Sequence, residues 1–144
     1  MRYVLSVILL SFSMLAIADA NNSIPDDLSG TWVLTIENME REPITTIKFK
    51  FTSKIANSCL SGNWRQIKVG SIKTKDKSFF PIEALSYEFK ENRITIGSNE
   101  ICDAYLHVSG ILENSRSEGE YFSFGWNSKT LGYFSLVKDG AKGS

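Results

Sequence analysis

His107 is the one histidine in the sequence and its clearest candidate for a general base near neutral pH. A nucleophilic enzyme would pair it with an activated serine or cysteine, but no Gly-x-Ser-x-Gly turn is present. His107 alternates with Leu106 and Val108, which predicts an outward side chain on the surface. Glu118 and Glu120 could mimic a carboxylate pair, but they flank a glycine at a predicted hairpin tip, where such side chains are solvated. The sequence therefore predicts no catalytic residue and no enzymatic activity.

Cys59 and Cys102 are the only cysteines in the chain. In an oxidising compartment two such cysteines indicate a disulfide, which would stabilise the fold by roughly 4 kcal/mol on the chain-entropy account. A metal site would need more ligands than one histidine and two widely spaced cysteines supply. We expect neither a metal nor a cofactor.

Residues 1–20 have the plan of a secretory signal peptide. Arg2 precedes an apolar run over residues 3–17, and Ala18-Asp19-Ala20 supplies the small residues of a cleavage site. The apolar run is short for a membrane span. We expect cleavage near Ala20 and a secreted or periplasmic protein with no membrane span in the mature chain. An uncleaved N-terminal anchor is the alternative.

The mature chain reads as one domain with a balanced charge. Signal cleavage removes one basic and one acidic residue from totals of 16 and 16, and this balance argues against nucleic acid as the main partner. The predicted parts are a leader over residues 21–28, a β domain over residues 29–138 and a flexible tail over residues 139–144.

Short strands separated by polar turns follow one another from Ser29 onward. The clearest is the run in which Ile47, Phe49 and Phe51 alternate with two lysines, as in a half-buried strand. Eight such strands, spaced by 8–15 residues, predict an all-β fold: an eight-stranded antiparallel up-and-down barrel. A β-sandwich is the alternative, because periodicity does not order the strands.

Several boundaries follow from the same pattern. The third strand is predicted over residues 59–69, with a bulge at residues 62–64 that reconciles its two apolar phases. The longest irregular stretch is predicted over residues 70–80, and a hairpin tip over residues 113–119. On the seventh strand, Phe122, Phe124 and Trp126 are predicted to share one face, with Tyr121 on the other.

Two groups of residues are candidates for binding. The first group consists of aromatic side chains that could line a pocket for a small hydrophobic ligand: Trp64, Tyr87, Phe124 and Trp126. The alternative is that these rings fill the interior of the barrel.

The second group lies in the predicted loop over residues 70–82, which could dock an acidic partner protein. It comprises Lys73, Lys75, Lys77, Phe79 and Phe80. Adjacent aromatic residues cannot both face the core of an extended segment, so one phenylalanine is expected to be available for binding. The alternative is that the lysines serve only solubility.

Two Gly-x-Trp units resemble the first and third strands of small exported barrels. Gly30-Thr31-Trp32 is similar to the opening of lipocalins and avidins, the calycin-type barrels, and Leu60-Ser61-Gly62-Asn63-Trp64 looks like an avidin third strand. The resemblance implies that Trp32 packs across a closed barrel end beneath a basic residue, a place that Lys138 could fill.

The resemblance also frames the expected function. A calycin-like barrel implies an exported, non-enzymatic protein that holds a small hydrophobic ligand. Small exported protease inhibitors use a similar scaffold, so the alternative is a protein-interaction module or enzyme inhibitor that acts through surface loops at residues 70–82. Fold analogy cannot choose between the two.

Overall fold

Eight antiparallel strands form a closed barrel in the computed structural model, which describes residues 25–98, 100, 106–125 and 127–141. Each strand pairs with the next along the chain, and the last pairs with the first. This confirms the predicted all-β, up-and-down barrel and excludes the sandwich. In chain order the strands are β1 Trp32–Glu37, β2 Pro43–Ile55, β3 Arg65–Thr74, β4 Ser86–Lys90, β5 Arg93–Gly97, β6 Leu106–Glu113, β7 Arg116–Ser123 and β8 Lys129–Lys138.

One short helical turn, Asp26–Leu28, precedes β1. Within the part of the chain that the structure describes, no helix combines the length and apolar character needed to cross a lipid bilayer. The predicted signal peptide lies outside the described residues.

Aromatic side chains pack edge to face inside the barrel. The Phe51 ring lies 5.6 Å from Trp32, 4.9 Å from Phe49 and 4.6 Å from Tyr87, measured between centroids. Such edge-to-face contacts suit the charge distribution of aromatic rings. Aliphatic residues from the remaining strands complete a continuous buried core: Leu34, Ile36, Ile47, Ile67, Ile94, Ile96, Val108 and Leu136. These side chains fill the interior that a hollow carrier would leave open.

One end of the barrel is covered by the segment that leads into β1. The indole N–H of Trp32 donates to the carbonyl of Leu28 at 3.1 Å, and both side chains are fully buried. Nζ of Lys138 lies 6.0 Å from the Trp32 ring and donates to Oγ of Ser29 at 3.3 Å. Gly30 has φ +91°, a conformation that glycine adopts without strain. Trp32 and Lys138 thus lie together at this end of the barrel.

The connection between β3 and β4 covers the opposite end. The hydroxyl of Tyr121, whose ring is buried in the core, donates to the carbonyl of Phe79. The rings of Phe79 and Phe80 lie 5.3 Å and 5.4 Å from Tyr121. This connection is therefore attached to the interior rather than hanging freely from the barrel.

Two predicted boundaries are wrong because strands continue through polar sequence. β3 extends to Thr74, so the first part of the predicted irregular stretch is ladder, paired with β2. The register with β2 shifts at Gly70, between Lys48 and Phe49, and again between Phe51 and Ile55. The predicted bulge at residues 62–64 is wrong, because β3 begins only at Arg65. The predicted hairpin tip at residues 113–119 shrinks to Asn114 and Ser115. Both have positive φ, as a two-residue hairpin turn requires.

On the seventh strand Tyr121 and Phe122 lie on opposite faces, as predicted, and the face that carries Tyr121 is the inward one. Tyr121 is fully buried, whereas Phe122 is half-buried and Phe124 lies beyond the end of β7 with 55% of its surface exposed. The inward row of β7 is Ser117, Gly119 and Tyr121. Gly119 lies where an added Cβ would meet the Ser109 carbonyl at 2.3 Å, so small residues hid the phase of this strand from the sequence pattern.

We predict that Ser117→Ala raises the free energy of unfolding by about 1 kcal/mol. Oγ of Ser117 is buried and has no hydrogen-bond partner among the described residues, so the hydroxyl loses its water without compensation. Urea denaturation measures the change. Ser86→Ala is the matched control, because the buried Ser86 hydroxyl donates to the Gly97 carbonyl at 3.2 Å; its loss should lower stability. Equal losses in both variants would contradict the prediction.

Candidate functional site

The predicted ligand-binding aromatics fall in separate places. Tyr87 is in the core, and its hydroxyl donates to the Thr52 carbonyl at 2.9 Å. Trp64 and Phe124 instead meet on the outside of the barrel, around His107. Trp126 lies outside the described residues. Of the three members of the predicted pocket that the structure describes, it brings together Trp64 and Phe124, and it does so outside the barrel.

His107 lies at the centre of this outer cluster. Its imidazole stacks on the Trp64 indole at 5.9 Å and 24°, and the Phe122 and Phe124 rings lie 6.2 Å and 6.4 Å away. Gly97, the neighbour of His107 on β5, makes room for it, because a Cβ there would lie 2.0 Å from Cδ2 of the imidazole. The expectation of a surface histidine is wrong: only 3% of His107 is exposed.

The outer cluster attaches the β2–β3 connection to the barrel wall. Trp64 immediately precedes β3, and its indole N–H donates to the Ser61 carbonyl at 3.2 Å. The neighbouring Asn63 N–H donates to Oε1 of Glu88 on β4 at 3.0 Å. Trp64 thus anchors this connection to the barrel wall, because its ring stacks on His107 of β6, beyond β4 and β5.

Cys59 lies in the same connection. It is not a free thiol, and its sulfur lies 3.7 Å from the carbonyl oxygen of Glu100. Its predicted partner Cys102 lies outside the described residues, so their disulfide stays a prediction.

A second outer surface carries exposed lysines. On β2 these are Lys48 and Lys50, and on β3 they are Lys68 and Lys73. We call these four residues the lysine face. Lys50 and Lys68 are directly opposite each other in the ladder, an arrangement in which like charges repel. Within the described residues, Lys48 is the member of the face with an ion pair, to Asp139 at 3.2 Å.

A shallow groove of about 360 Å³ runs across the lysine face. Its lining includes Lys48, Lys50 and Lys68, and its floor includes Gly70 and Ser71. The bulge at Gly70 keeps this floor low, because a Cβ there would approach the Lys48 carbonyl at 3.2 Å. Three cations around this groove can bind carboxylate groups.

The structure divides the residues of the predicted partner-binding loop between β3 and the β3–β4 connection. Lys73 belongs to β3, while Lys75 and Lys77 are exposed beyond its end. Phe79 is half-buried and Phe80 is 1% exposed, so Phe80 is not available to a partner. A turn at Asp76 stiffens this region: its carboxylate accepts hydrogen bonds from both the hydroxyl (2.6 Å) and the N–H (2.8 Å) of Ser78, which lower the pKa of Asp76.

Beside the end of β3 lies another groove, of about 430 Å³. Val69 and Ile72 of β3 form one side, and residues of the β3–β4 connection form the other: Lys77, Pro81, Ile82 and Glu83. The groove is apolar at its base and carries charge at its rim.

Sequence reasoning missed Lys48, Lys50 and Lys68 as candidates for binding. The order of the charged residues along the chain could have revealed them, although basic and acidic residues are equal in number. Residues 43–77 contain eight basic residues and one acidic residue, whereas residues 78–125 contain three basic and eight acidic residues. Because the barrel places consecutive strands side by side, this segregation along the chain becomes segregation around the wall.

Among the residues that the structure describes, no group of three His, Cys, Asp or Glu side chains could hold a metal ion. No protein-family model, curated protein or solved structure matches this chain. The feature that the chain shares with calycin-type barrels is the closed, eight-stranded antiparallel barrel.

We predict that His107 makes stability depend on pH. Burial lowers the pKa of His107 in the folded protein, whereas an unfolded chain titrates near 6.5. The unfolded state therefore takes up the proton first, and stability present above about pH 6.5 is lost as the pH falls toward the folded-state pKa. Urea denaturation over this range measures the slope.

His107→Gln is the matched variant for this prediction. The chain has no other histidine, so the variant should remove the pH dependence between about pH 7 and pH 5.5, whatever its effect on absolute stability. An unchanged slope in the variant would show that other groups cause it.

Proposed function

We propose that this chain is an exported, non-enzymatic binding protein whose partner is a protein with an acidic surface. The lysine face and the adjoining Lys75 and Lys77 would form the contact. The observation that carries this proposal is the register of β2 and β3, which sets Lys50 directly opposite Lys68. This repulsion weakens the free barrel, and an acidic partner would relieve it.

The filled interior favours a contact on the outer surface. A ligand inside the barrel would have to displace side chains such as Phe49, Phe51 and Tyr87, which are almost fully buried and in mutual contact. Well-packed cores resist such changes in volume. A protein partner on the outer wall requires no rearrangement of these rings.

Inhibition of an enzyme is one form that such binding could take. Export is part of the proposal and rests on the sequence pattern of residues 1–20. A secreted or periplasmic protein with a rigid barrel and an exposed basic face suits non-covalent docking to another exported protein.

A small hydrophobic ligand is the second candidate. It is supported by the outer cluster, where Phe124 is 55% exposed beside His107 and Trp64. Nile red, a neutral apolar dye, tests this candidate: an increase in its fluorescence that Phe124→Ser abolishes would favour a ligand site on the outer wall. Fluorescence unaffected by the protein would remove this candidate.

For the proposed function, we predict that replacing Lys50 and Lys68 together by serine weakens binding of a fluorescein-labelled decaglutamate peptide about tenfold. Each surface charge pair contributes up to about 1 kcal/mol, and 1.4 kcal/mol corresponds to tenfold in Kd. Fluorescence anisotropy at low ionic strength measures the affinity, which should fall as salt is added.

The matched control replaces Lys90 and Lys129, two exposed lysines outside the lysine face, by serine. It removes the same charge and should leave the affinity nearly unchanged. The Lys50/Lys68 variant should be no less stable than the parent, because it relieves repulsion between neighbouring strands. Equal weakening in both double variants would show that net charge, not this face, binds the peptide.

A further inference from the structure

The barrel wall is incompletely paired between β3 and β4. Their ladder consists of two positions, Arg65 opposite Tyr87 and Gln66 opposite Ser86. One more backbone bond follows, from the Ile67 N–H to the Leu85 carbonyl at 2.9 Å. Beyond it, from residue 68 to residue 74, β3 pairs only with β2 within the described part of the chain.

The ladder with β2 shows which backbone groups of β3 point toward this gap. The Lys75 N–H donates to the Ile44 carbonyl at 2.9 Å, and Lys73 and Ser71 follow at the alternate positions that bond to β2. The backbone N–H and C=O of Ile72 and Thr74 therefore point away from β2. They form an open strand edge.

Side-chain exposure agrees with an open edge. Ile72 lies opposite Ile47 in the ladder and on the same sheet face. Ile47 is fully buried, whereas Ile72 is 40% exposed. The difference arises because, among residues 25–98, 106–125 and 127–141, no strand lies beside Ile72 on the side away from β2. The groove of about 430 Å³ occupies this position, between Ile72 and the β3–β4 connection.

We propose that the open edge of β3 binds an extended, acidic segment of the partner protein, which adds a strand beside residues 70–74. This inference rests on the proposed function and names the form in which the partner binds. Backbone bonds to Ile72 and Thr74 give the affinity of such an added strand, and alternate side chains of the segment enter the groove. Exposed Lys73, Lys75 and Lys77 attract the acidic residues of the segment.

The charges argue against a second copy of this chain as the occupant. Pairing two β3 edges would bring Lys68, Lys73 and Lys75 of one copy against the same set of the other. Like charges on paired strands destabilise the pairing, and natural sheets use edge lysines to prevent such association. An acidic segment has the complementary charge.

Backbone methylation of a peptide probe tests strand addition directly. The probe is a fluorescein-labelled peptide in which glutamate alternates with valine. In one derivative every glutamate nitrogen is methylated, and in the other every valine nitrogen. All three peptides carry the same charge, but each derivative blocks hydrogen bonding along one edge of an extended chain. The inference predicts that one derivative loses about tenfold in affinity while the other binds nearly like the parent.

Ile72→Pro supplies the complementary change in the protein. It removes the N–H that faces the gap, a site where proline is compatible with an edge strand, and keeps every lysine. Ile72→Val, which keeps the N–H, is its control. We expect the proline variant to weaken binding of the unmethylated peptide about tenfold and the valine variant to bind like the parent. Circular dichroism checks that each variant folds, and the peptide derivatives test the parent protein in either case.

Each outcome has a separate meaning. Equal binding of all three peptides, with the weakening by Lys50/Lys68 replacement retained, would overturn strand addition and leave the proposed function standing. Failure of every peptide to bind would overturn both. A concentration-dependent dimer in analytical ultracentrifugation, abolished by Ile72→Pro, would show that a second copy takes the edge and would also overturn the inference.

Discussion

Edge-to-face packing of aromatic rings from three strands forms the centre of the barrel interior. Phe51 contacts Trp32, Phe49 and Tyr87 at once, so these rings form one connected cluster along the barrel axis. Eight strands enclose just enough space for side chains or for one small ligand, and here side chains occupy it. Both ends depend on the same packing: Trp32 contacts the leader at one end, and Tyr121 holds the β3–β4 connection at the other. This packing is the reason why we propose recognition on the outer wall.

The arrangement of charged side chains on the outer wall lowers the stability of the free protein. A ladder optimised for stability would alternate signs between β2 and β3, but Lys50 faces Lys68. Within the described residues, the ion pair of this face joins Lys48 to Asp139, just beyond the end of β8. Local choices that oppose stability commonly mark functional surfaces. The same reasoning applies to the gap beside Ile72, where a short stretch of β3 has no neighbouring strand on one side within the described part of the barrel.

The sequence predicted the fold better than the site, for identifiable reasons. A period of two survives wherever one face is apolar, as at Ile47, Phe49 and Phe51, and it is enough to count eight strands. It fails where inward positions are small or polar, as at Ser117 and Gly119, and this hid the phase of β7. The period of apolar residues along one strand carries no information about which side chains of different strands touch. Trp64 and His107 are 43 positions apart in the sequence, and only the absence of a side chain at Gly97 lets them stack across two intervening strands.

The short seam between β3 and β4 also has a consequence for the dynamics of the barrel. Hydrogen-bonded pairing covers two positions there, against eight between β6 and β7. Partial opening of a fold begins where the fewest bonds must break. The barrel should therefore open locally between β3 and β4. The hydrogen bond from the Tyr121 hydroxyl to the Phe79 carbonyl should set how often it opens. The remaining strands would behave as a single cooperative sheet, curled from β4 round to β3. Each opening must break the ring contact between Phe51 and Tyr87 and the hydrogen bond from Tyr87 to Thr52, which join β2 to β4 across the seam.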